Sequence, residues 1–161
     1  MKYTNANVRR QDRLLDEPSA RELLKNGEYG ILGMLSETGG VYSVPVSYVW
    51  DGEHSLYFHC AVEGRKLRCL DSNNAVSFCV VGHTRVVAAK FTTEYESIVL
   101  ECKAFRHLSE EERMKAFRLI LEKYTPGEIE KGMQYAKDAF SKTEIVRLDI
   151  ADWSGKRKQL K

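Results

Sequence analysis

The sequence lacks the features that would place it in a membrane or on a secretory route. No apolar run approaches the roughly 20 residues needed to span a bilayer, and the polar first residues contain no signal-peptide core. The excess of positive over negative charge is also small: 25 lysines and arginines are balanced by 23 aspartates and glutamates, which gives a net charge of +2. We therefore expect a cytoplasmic protein that binds neither a membrane nor nucleic acid.

Cysteine is sparse, and the spacing of cysteine and histidine argues against a metal centre. The four cysteines form no C-x-x-C pair, and the four histidines fall on separate predicted elements. These residues are Cys60, Cys69, Cys79, Cys102, His54, His59, His83 and His107. The motifs G-x-S-x-G, H-E-x-x-H and G-x-G-x-x-G and the phosphate loop of nucleoside triphosphatases are missing too. The sequence predicts no metal site and identifies no catalytic residue.

What the sequence does contain is an ordinary globular composition. Apolar residues make up 43% and charged residues 30%, and 161 residues are enough for one domain with a substantial core. We predict a single domain over residues 1–161, with a polar arm at 1–15 and a basic tail at 153–161. A solvated arm is the preferred interpretation over one that binds nucleic acid, because the net charge is small.

Most of the chain reads as consecutive antiparallel strands. Branched and aromatic residues predict strands, Asp51-Gly52 predicts a hairpin, and residues 82–93 show no period and predict a long connection. Capping signals at Ser109 and Thr125 predict two helices before the last strand. The predicted strands are 29–35, 41–50, 56–61, 75–81, 94–108 and 143–149, and earlier helices are predicted at 18–26 and 64–72. Because such strands usually curl to avoid open edges, we predict an α+β, mainly β fold: a six-stranded antiparallel barrel with flanking helices.

The most informative stretch runs from Leu56 to Leu67. An aromatic strand leads into Gly64, which lets the backbone approach a ligand closely. The amides of the next helical turn are free and lie at the positive helix end. Arg65 and Lys66 stand where those amides would attract an anion. The stretch predicts a corner that binds the phosphate of a cofactor, although glycine followed by cations is by itself a weak signal.

Three nearby features have two interpretations each. Pro45 interrupts a predicted strand, either because the strand lies at an edge or because it faces a ligand. His59 either positions a ligand or is a half-buried strand histidine. The hydroxyls of Thr92, Thr93 and Ser97 either bind a ribityl chain or phosphate, or cap a loop. These residues alone leave the alternatives open.

Several stretches along the chain match one known family in order. They are Val44-Pro45-Val46-Ser47-Tyr48-Val49, Leu56 to Ala61 with Gly64-x-Lys66, Val76 to Val81, Phe91-Thr92-Thr93-x-Tyr95-x-Ser97-Ile98, Lys123-Tyr124-x-Pro126-Gly127-Glu128 and Ser154-Gly155-Lys156. Together they resemble the pyridoxamine 5'-phosphate oxidase-like flavin proteins, most closely the 5-nitroimidazole-resistance (Nim) branch. The resemblance covers nearly the whole chain.

This resemblance implies a split β-barrel homodimer with two FMN molecules at the subunit interface. It implies that the glycine-lysine turn holds the phosphate and that the strand before Tyr48 lies against the isoalloxazine ring. The implied cofactor-binding residues are Val44, Pro45, Val46, Ser47, His59, Cys60, Ala61, Gly64, Arg65, Lys66, Thr92, Thr93, Ser97 and Trp153, the last from either subunit. One position departs from the pattern of the Nim proteins, which often have histidine where this sequence has Arg65. A permanent cation can reinforce phosphate binding but donates no proton near neutrality, which puts nitroimidazole reduction in doubt.

Two functions from different classes fit these observations. The first is an FMN-dependent oxidoreductase that takes a hydride from a reduced nicotinamide and passes electrons to a small acceptor such as a nitroaromatic. The second is a protein that binds or senses FMN or haem without turnover, because the fold also hosts haem and deazaflavin binders. A nucleic-acid surface formed by Arg9, Arg10, Arg13 and the basic tail ranks below both.

Overall fold

The computed structural model describes residues 1–160, in which eight strands and four α-helices are found. In chain order these are β1 (Lys2–Tyr3), α1 (Glu17–Asn26), β2 (Tyr29–Leu35), β3 (Val41–Ser47), β4 (Val49–Trp50), β5 (Ser55–Ala61), α2 (Arg65–Ser72), β6 (Ala75–Val87), β7 (Thr92–Phe105), α3 (Glu110–Tyr124), α4 (Ile129–Asp138) and β8 (Thr143–Lys158). Short 3-10 turns lie at Gln11–Arg13, Ala88–Lys90, Pro126–Glu128 and Phe140–Lys142. None of the helices in this part of the chain is both long and apolar enough to cross a membrane.

The strands form one sheet whose two ends are joined by a single residue. The order is β3-β2-β6-β7-β8-β5-β4, and β1 pairs with β8. Only Tyr48 separates β3 from β4 in the chain, so the two ends lie within about 7 Å of each other and the sheet must curl. Before Tyr48 in the chain, β3 pairs with β2 rather than with β5. We call the gap between β3 and β5 the split. The predicted fold class is confirmed, with eight strands instead of six.

Side-chain alternation divides the apolar residues into two cores. The barrel interior holds one face of each main strand, with Phe58, Phe78 and Leu100 fully buried. A second core lies between the outer side of β5 and β8 and the helices α3 and α4, where Tyr57 and Phe117 pack. Side chains along β5 and β7 alternate between the two faces, as the geometry of a strand requires.

The two predicted capping signals have different outcomes. The Ser109 hydroxyl accepts a hydrogen bond from the Glu112 amide at 3.2 Å, which confirms the predicted start of α3. The Glu112 carboxylate instead accepts hydrogen bonds from the Tyr57 hydroxyl at 3.0 Å and from Arg147 at 2.7 Å, and so fastens α3 to the sheet. Thr125 makes no side-chain cap, and a 3-10 turn precedes α4.

A long hairpin replaces the connection predicted for residues 82–93. β6 continues to Val87 and β7 begins at Thr92, with one short turn between them. The register shifts at a bulge between Val81 and Thr84. An extra residue in a bulge interrupts the two-residue period of a strand. The prediction of a long loop is therefore wrong because the period is lost where the strand is bulged.

Both ends of the chain belong to the sheet. β8 extends to Lys158, so the predicted basic tail is largely strand. In the predicted polar arm, β1 pairs with β8, and the Tyr3 hydroxyl donates to the Leu15 carbonyl at 2.6 Å. The arm is therefore fastened to the sheet in part, while several of its side chains remain exposed, and residues 153–158 of the predicted tail are strand.

Candidate functional site

The split is bordered by the two stretches that the sequence marks as cofactor strands. β4 pairs with β5, with Val49 opposite Tyr57. Continuing this register past Tyr48, without hydrogen bonds, brings the two stretches level with one another. By this count Ser47 would lie level with His59, Val46 with Cys60 and Pro45 with Ala61. β3 and β5 are therefore the two borders of one gap, and we call them its walls.

The side chains of the β3 wall divide between two faces. Val46 is buried in the barrel core and Val44 packs partly against it, whereas Pro45 and Ser47 are exposed on the outer face. Pro45 pairs with Ile31 of β2, and β3 ends the strand order, which confirms the edge position of Pro45. A ligand in the split would therefore meet the backbone of β3 rather than the side chain of Val46.

Gly64 adopts a backbone conformation that other residues rarely reach. Its φ is 150° and its ψ 165°, a region occupied almost only by glycine. A Cβ at this position would meet no atom within 4 Å, so the requirement is conformational rather than steric. Gly64 precedes α2, and no side chain caps that helix end. The first amides of α2 are therefore available to an anion.

Two cations next to Gly64 are held by aromatic rings from the two walls. The guanidinium of Arg65 lies 4.1 Å from the Tyr42 ring, and Lys66 Nζ lies 5.1 Å from the Phe58 ring. Within residues 1–160, neither side chain makes a hydrogen bond or an ion pair. We call Gly64, Arg65 and Lys66 the corner. Its cations keep their donors for a ligand.

The titratable residues of the β5 wall are neutral near pH 7. Burial first, and then the charge of Lys66, lower the pKa of His59 below its ordinary value. Burial raises the pKa of the Cys60 thiol. The site therefore offers cations and amides for binding rather than a charged acid for chemistry.

The remaining hydroxyl residues lie on a different surface, and we call Thr92, Thr93 and Ser97 the outer group. The Thr92 hydroxyl accepts a hydrogen bond from Lys158 Nζ, and the Thr93 side chain is exposed. Ser97 lines a pocket of about 420 Å³ over β7 and β8. Ser97 pairs with Lys156 of β8, whereas Ala61, which leads into the corner, pairs with Thr143, thirteen residues away along the same strand. Within one chain, the structure does not bring the outer group to the corner.

The Trp153 side chain is buried beneath the outer group, and it lines the same pocket as Ser97. Its side chain is in the barrel core at 2% exposure, and its ring packs edge-on against Tyr3 with centroids 4.8 Å apart. Its indole N–H has no partner in the part of the chain that the structure describes. Trp153 therefore lies with the outer group, and its contact with a cofactor from either subunit stays a prediction.

Sequence reasoning missed the two rings that hold the cations. Tyr42 lies two residues before Val44 and, as strand alternation predicts, packs partly against the barrel core. Its contact with Arg65 joins segments that are distant in the sequence, and no local pattern signals such a contact. Phe58 was recognised as a strand residue but not as the support of Lys66.

Known structures share this architecture at low sequence identity. A candidate 5-nitroimidazole antibiotic resistance protein from Bacteroides thetaiotaomicron is 20% identical, with a TM-score of 0.77 over 90% of this chain and 86% of that one. An FAD-binding protein from Mesorhizobium loti is 19% identical, with a TM-score of 0.65 over 91% and 98% of the two chains. The haem storage protein HutZ from Vibrio cholerae is 17% identical, with a TM-score of 0.66 over 87% and 94%. At these identities the likeness shows the fold.

The family is shown by the sequence itself. No curated protein sequence matches the chain. The family model described as pyridoxamine 5'-phosphate oxidase matches residues 16–157. That match runs from the N-terminal cap of α1 almost to the end of β8. The protein therefore belongs to the pyridoxamine 5'-phosphate oxidase family.

Proposed function

We propose that the protein binds FMN and acts as an FMN-dependent oxidoreductase. The observation that carries the proposal is the corner, where two cations with free donors adjoin an uncapped helix end. The phosphate would accept hydrogen bonds from Arg65, Lys66 and the first amides of α2. The likeness to an FAD-binding protein supports a flavin. We favour FMN because its terminal phosphate can present all its free oxygens to such a helix end.

The walls of the split would hold the flavin ring. The β3 wall supplies backbone and the exposed Pro45 and Ser47, and the β5 wall supplies His59, Cys60 and Ala61. When bound, the flavin supplies hydride and electron transfer between a reduced nicotinamide and a small acceptor such as a nitroaromatic. The chain supplies binding, orientation and positive charge.

We propose a homodimer in which the outer group of one copy completes the site of the other. The outer group and the corner lie on separate surfaces of one chain, so a single ligand can meet both only across an interface. The outer sheet face offers such an interface, because an apolar row crosses four neighbouring strands in register. The row is Pro45, Ile31, Cys79 and Val99. A twofold contact between identical faces would cover it.

The charges at the site limit which electron acceptors the bound flavin could reduce. Arg65 supplies a fixed positive charge, and His59 is neutral near pH 7. We therefore propose acceptors whose reduction needs no acid supplied by the protein. All four cysteines are free thiols, and we propose the reducing cytoplasm as the compartment.

A flavin titration with a reduction assay tests the proposal. Protein purified and titrated with FMN should show the two-band flavin spectrum, and anaerobic NADH or NADPH should bleach it. A nitroaromatic acceptor should then restore the oxidised spectrum. Protein that retains no FMN after titration with excess cofactor contradicts the proposal at its first step.

A second candidate function is binding of FMN or haem without turnover. The likeness to the haem storage protein HutZ favours it, as does the neutral state of His59 and Cys60 at the split. A sharp Soret band would identify haem. Bound flavin that neither nicotinamide reduces, whichever acceptor is offered, would identify a binder rather than an enzyme.

A further inference from the structure

Side chains, rather than a neighbouring strand, hold the backbone of Tyr48. Its N–H donates to the Tyr124 hydroxyl at 2.9 Å, and its carbonyl accepts from Lys123 Nζ at 2.8 Å. This is the point where the chain leaves the ladder with β2 and enters the ladder with β5. Two adjacent side chains in the last turn of α3 thus satisfy both backbone groups at the break.

The same two side chains reach the turn between α1 and β2. Lys123 Nζ donates to the Gly27 carbonyl at 2.7 Å, and the Tyr124 hydroxyl donates to the Glu28 carbonyl at 2.6 Å. Lys123 Nζ also lies 3.9 Å from the centre of the buried Tyr48 ring. No carboxylate among residues 1–160 pairs with Lys123. We call Lys123 and Tyr124, with these bonds, the clamp.

The clamp stands at the closed end of the split. β3 and β5 separate at Tyr48, and Ser47 and His59 are the first residues level with each other beyond it. At the other end, the ring of Tyr42 meets the guanidinium of Arg65. The backbone direction at Tyr48 therefore sets the angle at which the two walls diverge.

We propose that Lys123 and Tyr124 are positioning residues that fix the width of the split for the flavin ring. The inference rests on the proposed FMN function and adds a role for two residues that lie outside the corner. They act through Tyr48 rather than by touching the ligand. Holding the walls apart before binding removes the cost of ordering β3 when the ring enters, and this raises affinity.

The substitution Tyr124→Phe tests the proposal, with Tyr48→Phe as the matched control. Tyr124→Phe removes the hydroxyl that accepts from the Tyr48 amide. Tyr48→Phe removes a buried hydroxyl that donates to the Leu24 carbonyl at 2.6 Å, but it leaves the backbone bonds of Tyr48 in place. Both variants lose one tyrosine hydroxyl in the same region. The Tyr124 hydroxyl makes more hydrogen bonds than the Tyr48 hydroxyl, so the larger fall in thermal stability is expected from Tyr124→Phe, and the comparison depends on what happens in β3.

The two variants should differ in β3 itself. In the ligand-free proteins, amide hydrogen exchange at Val44, Val46 and Ser47 should be at least about tenfold faster in Tyr124→Phe than in the wild type or Tyr48→Phe. The FMN dissociation constant should rise at least about fivefold in Tyr124→Phe alone. The absorption maxima and reduction potential of bound FMN should also shift in that variant alone.

Each outcome decides a separate point. Unchanged exchange in β3 overturns the positioning role whether or not flavin binds. Faster exchange with unchanged affinity and potential overturns it too, because the strand would then move without affecting the ring. A wild-type protein that binds no FMN overturns the proposed function and with it the flavin role of the clamp. The exchange comparison would still show whether the clamp orders β3, so the two failures are distinguishable.

Discussion

Two lysines lie over aromatic rings of the barrel, and their donors are used in opposite ways. Lys123 Nζ donates to the carbonyls of Gly27 and Tyr48 and lies 3.9 Å from the Tyr48 ring. Lys66 Nζ lies 5.1 Å from the Phe58 ring and has no hydrogen bond or ion pair within the described part of the chain. One lysine is structural at the closed end of the split, and the other is available to a ligand at the open end.

The difference shows that donor satisfaction separates the two roles better than residue type or ring contact does. Lys123 is buried enough for its pKa to fall to about 8, yet backbone carbonyls occupy its ammonium. Lys66 adjoins a helix end with free amides. Because unsatisfied donors favour an anion where several converge, the corner rather than the clamp is the expected phosphate site.

The largest expected effect compares the same substitution at both lysines. Lys123→Met should lower the free energy of unfolding by about 2–4 kcal/mol, since two backbone carbonyls lose their donor. Lys66→Met should change it by less than about 0.5 kcal/mol. Urea denaturation measures both values. Equal losses would mean that the two lysines do not differ as described.

The converse comparison concerns ligand affinity. Arg65→Ala with Lys66→Ala should weaken FMN binding at least tenfold, about 1.4 kcal/mol, because the phosphate loses two charged donors. Flavin fluorescence titration measures the dissociation constant. Lys115→Ala with Arg118→Ala removes two exposed cations of α3 and should leave affinity unchanged. If both double variants bind FMN as the wild type does, the phosphate does not bind at the corner.

A smaller effect isolates the turn before α2. Gly64→Ala places a side chain at a φ of 150°, which costs about 1–2 kcal/mol of stability. Relaxation of that strain should displace the first amides of α2 and weaken FMN binding about threefold. Gly52→Ala is the control, because Gly52 has a φ of 85° and open space but lies in the β4–β5 turn. A loss of affinity in both variants would indicate general destabilisation.

The smallest expected effect is a pH dependence at the clamp. The folded pKa of Lys123, about 8, lies below its ordinary value of 10.5, so the unfolded chain binds more protons between those values. The stability of the wild type relative to Lys123→Met should therefore rise with pH across that window. The rise should stay below about 1 kcal/mol because solvent screens a partly exposed group. A relative stability that falls as pH rises would show that the carbonyl bonds favour the ammonium more than burial disfavours it.

Features built from contiguous residues could be predicted from the sequence. The alternation along β5 and β7 fixes which side chains face the core. Gly64, Arg65 and Lys66 are adjacent in the chain, so the turn and its cations are visible without a structure. Pro45 marks locally that its strand is interrupted, because proline cannot donate to a ladder, but the edge position itself is known from the order of strands.

Features that depend on distant residues or broken periods could not be predicted. The bulge after Val81 hides the extension of β6. The break at Tyr48 has no signal in its own segment, because its partners Lys123 and Tyr124 lie 75 and 76 residues away. The separation of Ser97 from the corner follows only from the pairing along β8, where Ser97 lies opposite Lys156 and Ala61 opposite Thr143.

Because a single residue links β3 to β4, the two strands cannot move apart at Tyr48. A longer connection would let the whole of β3 move outward to admit a thicker ligand. With Tyr48 anchored on both its amide and its carbonyl, the direction in which β3 leaves Tyr48 is fixed, and the remaining freedom is bending of β3 towards Val41. Ligands of different thickness should therefore displace the backbone of β3 most at Val41 and least at Ser47.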